Sequence, residues 1–256
     1  MGDYRKVIPC LDTRDGKLVK GVHFVNIREL GDPAEAGQAY AEAGADELVF
    51  LDITATLETR NTFLEAVQRT VAGLGDCPLT VGGGIASLDD MQRLFDIGVA
   101  KASVNSAAVR RPELVAEAAE RFGPERITVA IDTRNSPSVP SGFEVMVAGG
   151  TKPTGKDAVA WAQQAAQLGA GAILPTSMET DGVQTGYDLP MTRAIADAVS
   201  VPVIASGGAG SLEHLSEAIL QAHADAVLVA SIAHFGTFTI RQRKEHLAGK
   251  GIPVRL

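Results

Sequence analysis

Short, near-continuously apolar runs recur along the chain: KVIPCL (6–11), ELVFLD (47–52), LTVGG (79–83), ASVN (102–105), ITVAID (127–132), AILPTS (172–177), VPVIAS (201–206) and AVLVAS (226–231). Runs that stay apolar instead of alternating with polar residues fit parallel strands covered on the outside. Between them lie segments with helical spacing. PAEAGQAYAEAG (33–44) is Ala-rich and ends in Gly. SLDDMQRLFDIG (87–98) opens on a Ser cap, and SLEHLSEAILQ (211–221) repeats its Ser-Leu-acid opening. RPELVAEAAERFG (111–123) has Pro near its first turn and Gly after its end. These are ordinary start and stop signals. Eight strand–helix units predict an α/β chain closed as a (β/α)₈ TIM barrel, with a doubly wound sheet as the weaker alternative.

An internal repeat strengthens the barrel reading. Asp132 in AIDTR repeats Asp12 in CLDTR, AQLGAGAILPTS (166–177) repeats AEAGADELVFLD (41–52), and GGAGSLEH (207–214) repeats GGIASLDD (83–90). The offsets, about 120–125 residues, are far too long for a solenoid. One domain over residues 1–256 is expected, built of half-barrels at about 1–125 and 126–256. Pro175 falls inside the sixth run. Proline cannot donate to a ladder, so a bulge or an early strand end is expected there.

In such a barrel the residues closing each strand form the reactive face. Asp12 and Asp132 close strands one and five, which stand on opposite sides of an eight-strand ring. Two carboxylates flanking a substrate suit general acid and base work when their environments separate their pKa values. The plainer alternative is that each caps its own loop. VGGGI (81–85) and ASGGAG (205–210) close strands three and seven. Bare backbone N–H groups after such turns hold phosphate, although tight turns require Gly in any case. VNSAAV (104–109) and VASIAH (229–234) follow one strand later and offer Ser106 and Ser231. The doubled pattern predicts two anion cradles across one mouth, hence a long bisphosphorylated ligand. The connections 13–31 and 133–151 exceed ordinary βα loops and are expected to act as lids. Lys20 in the first either reaches down onto an anion or is simply solvated.

Composition narrows the classes. The 256 residues carry a formal net charge of -8, which argues against a nucleic-acid partner. Cys10 and Cys77 lack ligand spacing, and His23 and His234 have no partner spacing, so neither a metal nor another cofactor is expected. MGDYRKVIPC lacks the apolar stretch of a signal peptide, and no apolar run approaches the ~20 residues of a membrane span. A cytoplasmic protein without a membrane partner is the expectation.

The segments IPCLDTRDGKLVKG, DELVFLDITAT, VGGGI, VNSAAV, TDGVQTGYD and IASGGAG resemble the cyclase subunit of imidazole glycerol phosphate synthase, over nearly the whole chain. DELVFLDITAT separates that family from its sister isomerase barrel. The resemblance implies attack of ammonia on phosphoribulosyl-formimino-aminoimidazole carboxamide ribonucleotide. The products would be imidazole glycerol phosphate and aminoimidazole carboxamide ribonucleotide. It implies acid/base roles for Asp12 and Asp132 and a lid role for Lys20. Phosphate positions match Gly84, Asn105 and Ser106 in one half and Gly182, Gly208, Ala230 and Ser231 in the other. Asp52 and Asp181 match acidic positions that orient substrate.

The same resemblance implies a glutaminase subunit docked on the N-terminal face of the barrel, sending ammonia through the interior past four charged residues. Lys6, Glu47 and Lys101 match three of these. Ala172 stands where the family has glutamate, and Ala100 where it has an aspartate facing the glutaminase. Two lysines then face one glutamate, and Glu125 is expected to supply a further carboxylate. Two rival readings remain: the sister aldose–ketose isomerase, which also needs two aspartates and two phosphate sites, and a non-catalytic phosphate-binding barrel.

Overall fold

The computed structural model describes residues 4–22, 25–52, 60–230 and 238–256. Eight parallel strands form its centre: β1 (Lys6–Arg14), β2 (Leu48–Asp52), β3 (Leu79–Gly82), β4 (Lys101–Val104), β5 (Ile127–Asn135), β6 (Ala172–Ser177), β7 (Ile204–Ala205) and β8 (Ala226–Val229). Each pairs with the next from β1 to β6. Bridges Ile173↔Val203 and Thr176↔Ser206 join β6 to β7. β7 pairs β8, and β8 returns to β1 from Lys6↔Ala226 to Pro9↔Val229, which closes the ring.

Alternation along the strands sorts the side chains. Ile8, Cys10, Val49, Ala172, Leu174, Ile204, Ala226 and Leu228 pack together inside the ring. Their neighbours point outward and join the larger layer against the helices, where Leu11, Leu48, Phe50, Val81, Ile127 and Ile173 are fully or almost fully buried. Each such side chain contributes about 1.5–3 kcal/mol on burial. This two-sided burial is why the strands read as continuous apolar runs.

The helices are α1 (Pro33–Glu42), α2 (Arg60–Gly73), α3 (Leu88–Asp96), α4 (Glu113–Phe122), α5 (Ala158–Gln167), α6 (Leu189–Ala196), α7 (Leu212–Leu220) and α8 (Ile240–Gly249). A five-residue helix, Ser106–Arg110, precedes α4. The repeat read in the sequence is repeated in atomic detail. Ser87 caps α3 by accepting from Asp90 N, and Ser211 caps α7 by accepting from His214 N. Asp32 and Asp157 cap α1 and α5 in the same way. Thr13 donates to the Leu51 carbonyl, and Thr133 to that of Thr176.

Three expectations are corrected. Residues 13–31 and 133–151 are not open loops but regular antiparallel ribbons. β1 runs on to Arg14, turns at Asp15-Gly16 and pairs antiparallel with strand Lys17–Val22, which pairs with Val25–Gly31. β5 runs on to Asn135 and pairs antiparallel with Phe143–Val147, which pairs with Lys152–Asp157. Each half-barrel thus grows a twisted antiparallel ribbon from its first strand. Pro175 causes neither a bulge nor an early end on the β5 side, where the register runs unbroken from Ala172↔Thr128 to Ser177↔Thr133. The Ile173 N–H points to β7, so by alternation the missing Pro175 donor falls on that side too, where only two bridges form. The third correction, at Glu125, belongs to the opposite pole of the barrel.

The seam between first and last units is clasped by Lys244 of α8. Its buried ammonium donates to Asp46 Oδ1 at 2.7 Å, to the Gly44 carbonyl at 2.6 Å and to the Arg255 carbonyl at 2.7 Å. Asp46 Oδ2 also accepts from Val7 N. A buried ion pair with every donor used avoids the penalty of an isolated charge.

Candidate active site

The C-terminal ends of the strands enclose one cavity of about 670 Å³. Asp12 from β1 and Asp132 from β5 both line it, from strands four places apart around the ring. Gly84, Asn105 and Ser106 line it beyond β3 and β4. Gly182, Gly208 and Ala230 line it beyond β6, β7 and β8, and Asp52 and Asp181 complete the acidic set. Every site residue expected at this mouth and described in the structure therefore meets in one space. Ser231, His23, His234 and residues 53–56 of DELVFLDITAT lie outside the described residues. Lys20 sits on the first ribbon with its backbone opposite Arg28; its side chain is likewise outside what is described.

The glycine cradles are built by close approach. Gly83 has φ +101, and a Cβ there would stand 2.3 Å from the Asp52 carbonyl oxygen. Gly208 has φ +103, and a Cβ there would stand 2.0 Å from that of Gly186. Any other residue is excluded twice over, by conformation and by space. Both turns line the cavity.

The two aspartates differ in surroundings. Asp12 is buried, and the Cys10 thiol donates to its Oδ1 at 3.3 Å. Asp132 keeps some surface on the cavity, but protein surrounds it on every other side. This burial pushes its pKa up to about 6; an Asn105 hydrogen bond draws it partly back, and the negative charge of Asp181 raises it further. A carboxyl poised there exchanges protons readily near neutral pH.

Cys10, Arg110 and the tip of the second ribbon were missed in the sequence, and all line the cavity. At that tip Ala148, Gly149 and Gly150 all have positive φ. Ala148 N donates to Ser106 Oγ at 3.0 Å, which joins the ribbon to the β4 end. Cys10 was legible as an inward neighbour of Asp12 by strand alternation, and Arg110 by its helical spacing from Ser106.

At the opposite pole, Glu47 Oε2 accepts from Lys6 at 3.1 Å and from Lys101 at 2.7 Å, while Thr80 donates to Oε1 at 2.6 Å. Burial works against the Glu47 carboxylate. The attraction of Lys101 and Lys6, with the Lys101 and Thr80 hydrogen bonds, outweighs it and holds the group below the ordinary range. One carboxylate thus serves both lysines, and each lysine keeps partial solvent contact. Glu125 makes no ion pair with Lys6 or Lys101 among the described residues; the expected extra carboxylate is not Glu125. The adjoining Arg126 instead donates to the Ala100 and Val99 carbonyls. No described helix is long and apolar enough to cross a membrane.

The family model described as histidine biosynthesis protein matches residues 6–239. The match begins with β1, ends at the cap of α8 and takes in every cavity residue named above. On that coverage, and on a closed ring of eight parallel strands, this chain belongs to the histidine biosynthesis protein family of barrel enzymes.

Proposed function

We propose that the chain is the ammonia-using cyclase of this family. It would convert phosphoribulosyl-formimino-aminoimidazole carboxamide ribonucleotide to imidazole glycerol phosphate and aminoimidazole carboxamide ribonucleotide. The observation that carries the reading is the pairing of Asp12 and Asp132 across one cavity, with a glycine turn on each flank. That arrangement suits a ligand anchored by a phosphate at each end, with its reacting centre between two carboxyl groups. The choice of cyclase over isomerase rests on DELVFLDITAT, whose Asp52 lines the cavity.

In this reading Asp132, poised at about 6, holds or releases the proton that moves during ring closure. Asp12 serves as its counterpart from the opposite wall, oriented by the Cys10 thiol. Asp52 and Asp181 orient the substrate between them. Lys20, on the first ribbon, is assigned to closing over the bound anion.

Ammonia would enter from the N-terminal pole, past Lys6, Glu47 and Lys101, from a glutaminase subunit docked there. Ala172 and Ala100 remove two charges that such a partner would meet. The Ala100 carbonyl is instead held by Arg126. We therefore expect a weaker complex on this face and an active site that remains competent with free ammonia.

The test is product formation with and without added ammonium salt, and then with glutamine plus a glutaminase subunit. The cyclase incorporates the added nitrogen into the imidazole. Conversion of the earlier aldose bisphosphate without any nitrogen source would make the chain the isomerase. Tight ligand binding without turnover, even at high ammonium, would leave a binding barrel.

A further inference from the structure

The geometry points to Arg110 as the specificity-determining cation for the phosphate end that docks beyond β3 and β4. This rests on the bisphosphate reading above. The cavity wall carries four aspartates, Asp12, Asp52, Asp132 and Asp181, and among the described residues one positive side chain, Arg110. A doubly anionic ligand entering an acidic mouth is repelled unless a cation offsets the field where its phosphate comes to rest.

Arg110 is placed for that task by helical geometry. It follows Ser106 by four residues on the short helix Ser106–Arg110, so the two side chains share one face. Helical side chains lean toward the N-terminus, which directs the Arg110 side chain back toward the turn that carries Ser106. Both residues line the cavity together with Gly84.

The neighbouring arginines are engaged elsewhere. Arg111 pairs with Glu117, Arg121 donates to Gln92, and Arg126 donates to two backbone carbonyls. Among the described residues, the Arg110 side chain takes part in no hydrogen bond or ion pair. A guanidinium without a side-chain partner among the described residues, on a cavity wall shared with Ser106 and Gly84, offers the planar fork that phosphate oxygens accept.

The experiment compares wild type with Arg110→Ala and Arg110→Lys on the bisphosphate substrate at saturating ammonium. Arg110→Ala is expected to raise KM about tenfold with kcat within threefold, and to flatten the rise of KM with salt. Arg110→Lys is expected to fall between, keeping charge but not the fork. A KM within twofold of wild type, or a fall in kcat alone, overturns the assignment. A second arm measures the thermal midpoint in inorganic phosphate against chloride of matched ionic strength. Wild type should be stabilised by phosphate and Arg110→Ala should lose about half of that gain; equal gains overturn the assignment. If wild type turns over neither pathway substrate but phosphate protection still depends on Arg110, the functional reading fails and the anion site stands.

Discussion

Asp132→Asn separates what the site does from what the fold tolerates. In the unfolded chain this carboxyl ionises near 3.8, and in the folded protein near 6, chiefly because of burial. Between those values the unfolded state has released its proton while the folded state still holds it. The native state therefore binds more protons, and stability must fall as pH rises through this window. A tenfold difference in proton affinity is worth about 1.4 kcal/mol, so ionised Asp132 costs the fold about 3 kcal/mol above pH 7. Asparagine keeps the shape and carries no charge. The variant should match wild type in stability near pH 4 and exceed it by about 3 kcal/mol at pH 7.5. Its turnover should be lost, since an amide transfers no proton. Urea unfolding across pH 4 to 8, with the slope checked for constancy, measures the difference. A gap that does not change with pH, or a variant less stable than wild type at pH 7.5, refutes the reasoning.

Asp181→Asn removes the lesser of the two influences that raise Asp132, so the limb of the pH–rate profile that Asp132 sets should move to lower pH. Asp12→Asn should abolish turnover while substrate affinity, read by equilibrium titration, stays within about tenfold. Gly208→Ala forces a Cβ to 2.0 Å from the Gly186 carbonyl oxygen at φ +103. It should cost about 3 kcal/mol or more in urea unfolding and weaken substrate binding. Glu47→Gln leaves Lys6 and Lys101 without their shared carboxylate. It should cost about 2 kcal/mol at pH 7, discounted from a fully buried pair because both lysines keep solvent contact. Because Glu47 is held below its ordinary range, that difference should vanish as pH falls through its folded pKa.

The strand ends were readable because barrel geometry and the repeat act together. Asp12 and Asp132 could be matched without knowing any contact, and the glycine pairs marked turns that only glycine fits. The ribbons were less readable, but a signal existed. Asp15-Gly16 between KVIPCLDTR and KLVKGV is a strong hairpin turn; length alone suggested a lid. Pro175 misled because a strand has two edges, and only one of them needed the missing donor. Glu125 misled because counting charges assumes one partner each, while a carboxylate accepts from several donors. The elevation of Asp132 was beyond reach, since it depends on what surrounds the carboxyl and not on what adjoins it in the chain.

The seam between β8 and β1 sets an order of events during synthesis. Lys6 must wait for Ala226, and Asp46 for Lys244. A growing polypeptide can pair its early strands, yet the mouth stays incomplete until the eighth has emerged. A ribosome stalled before residue 226 therefore holds a protein with an open flank, exposing edges that invite aggregation. Catalytic competence arrives all at once, when the eighth strand closes the ring.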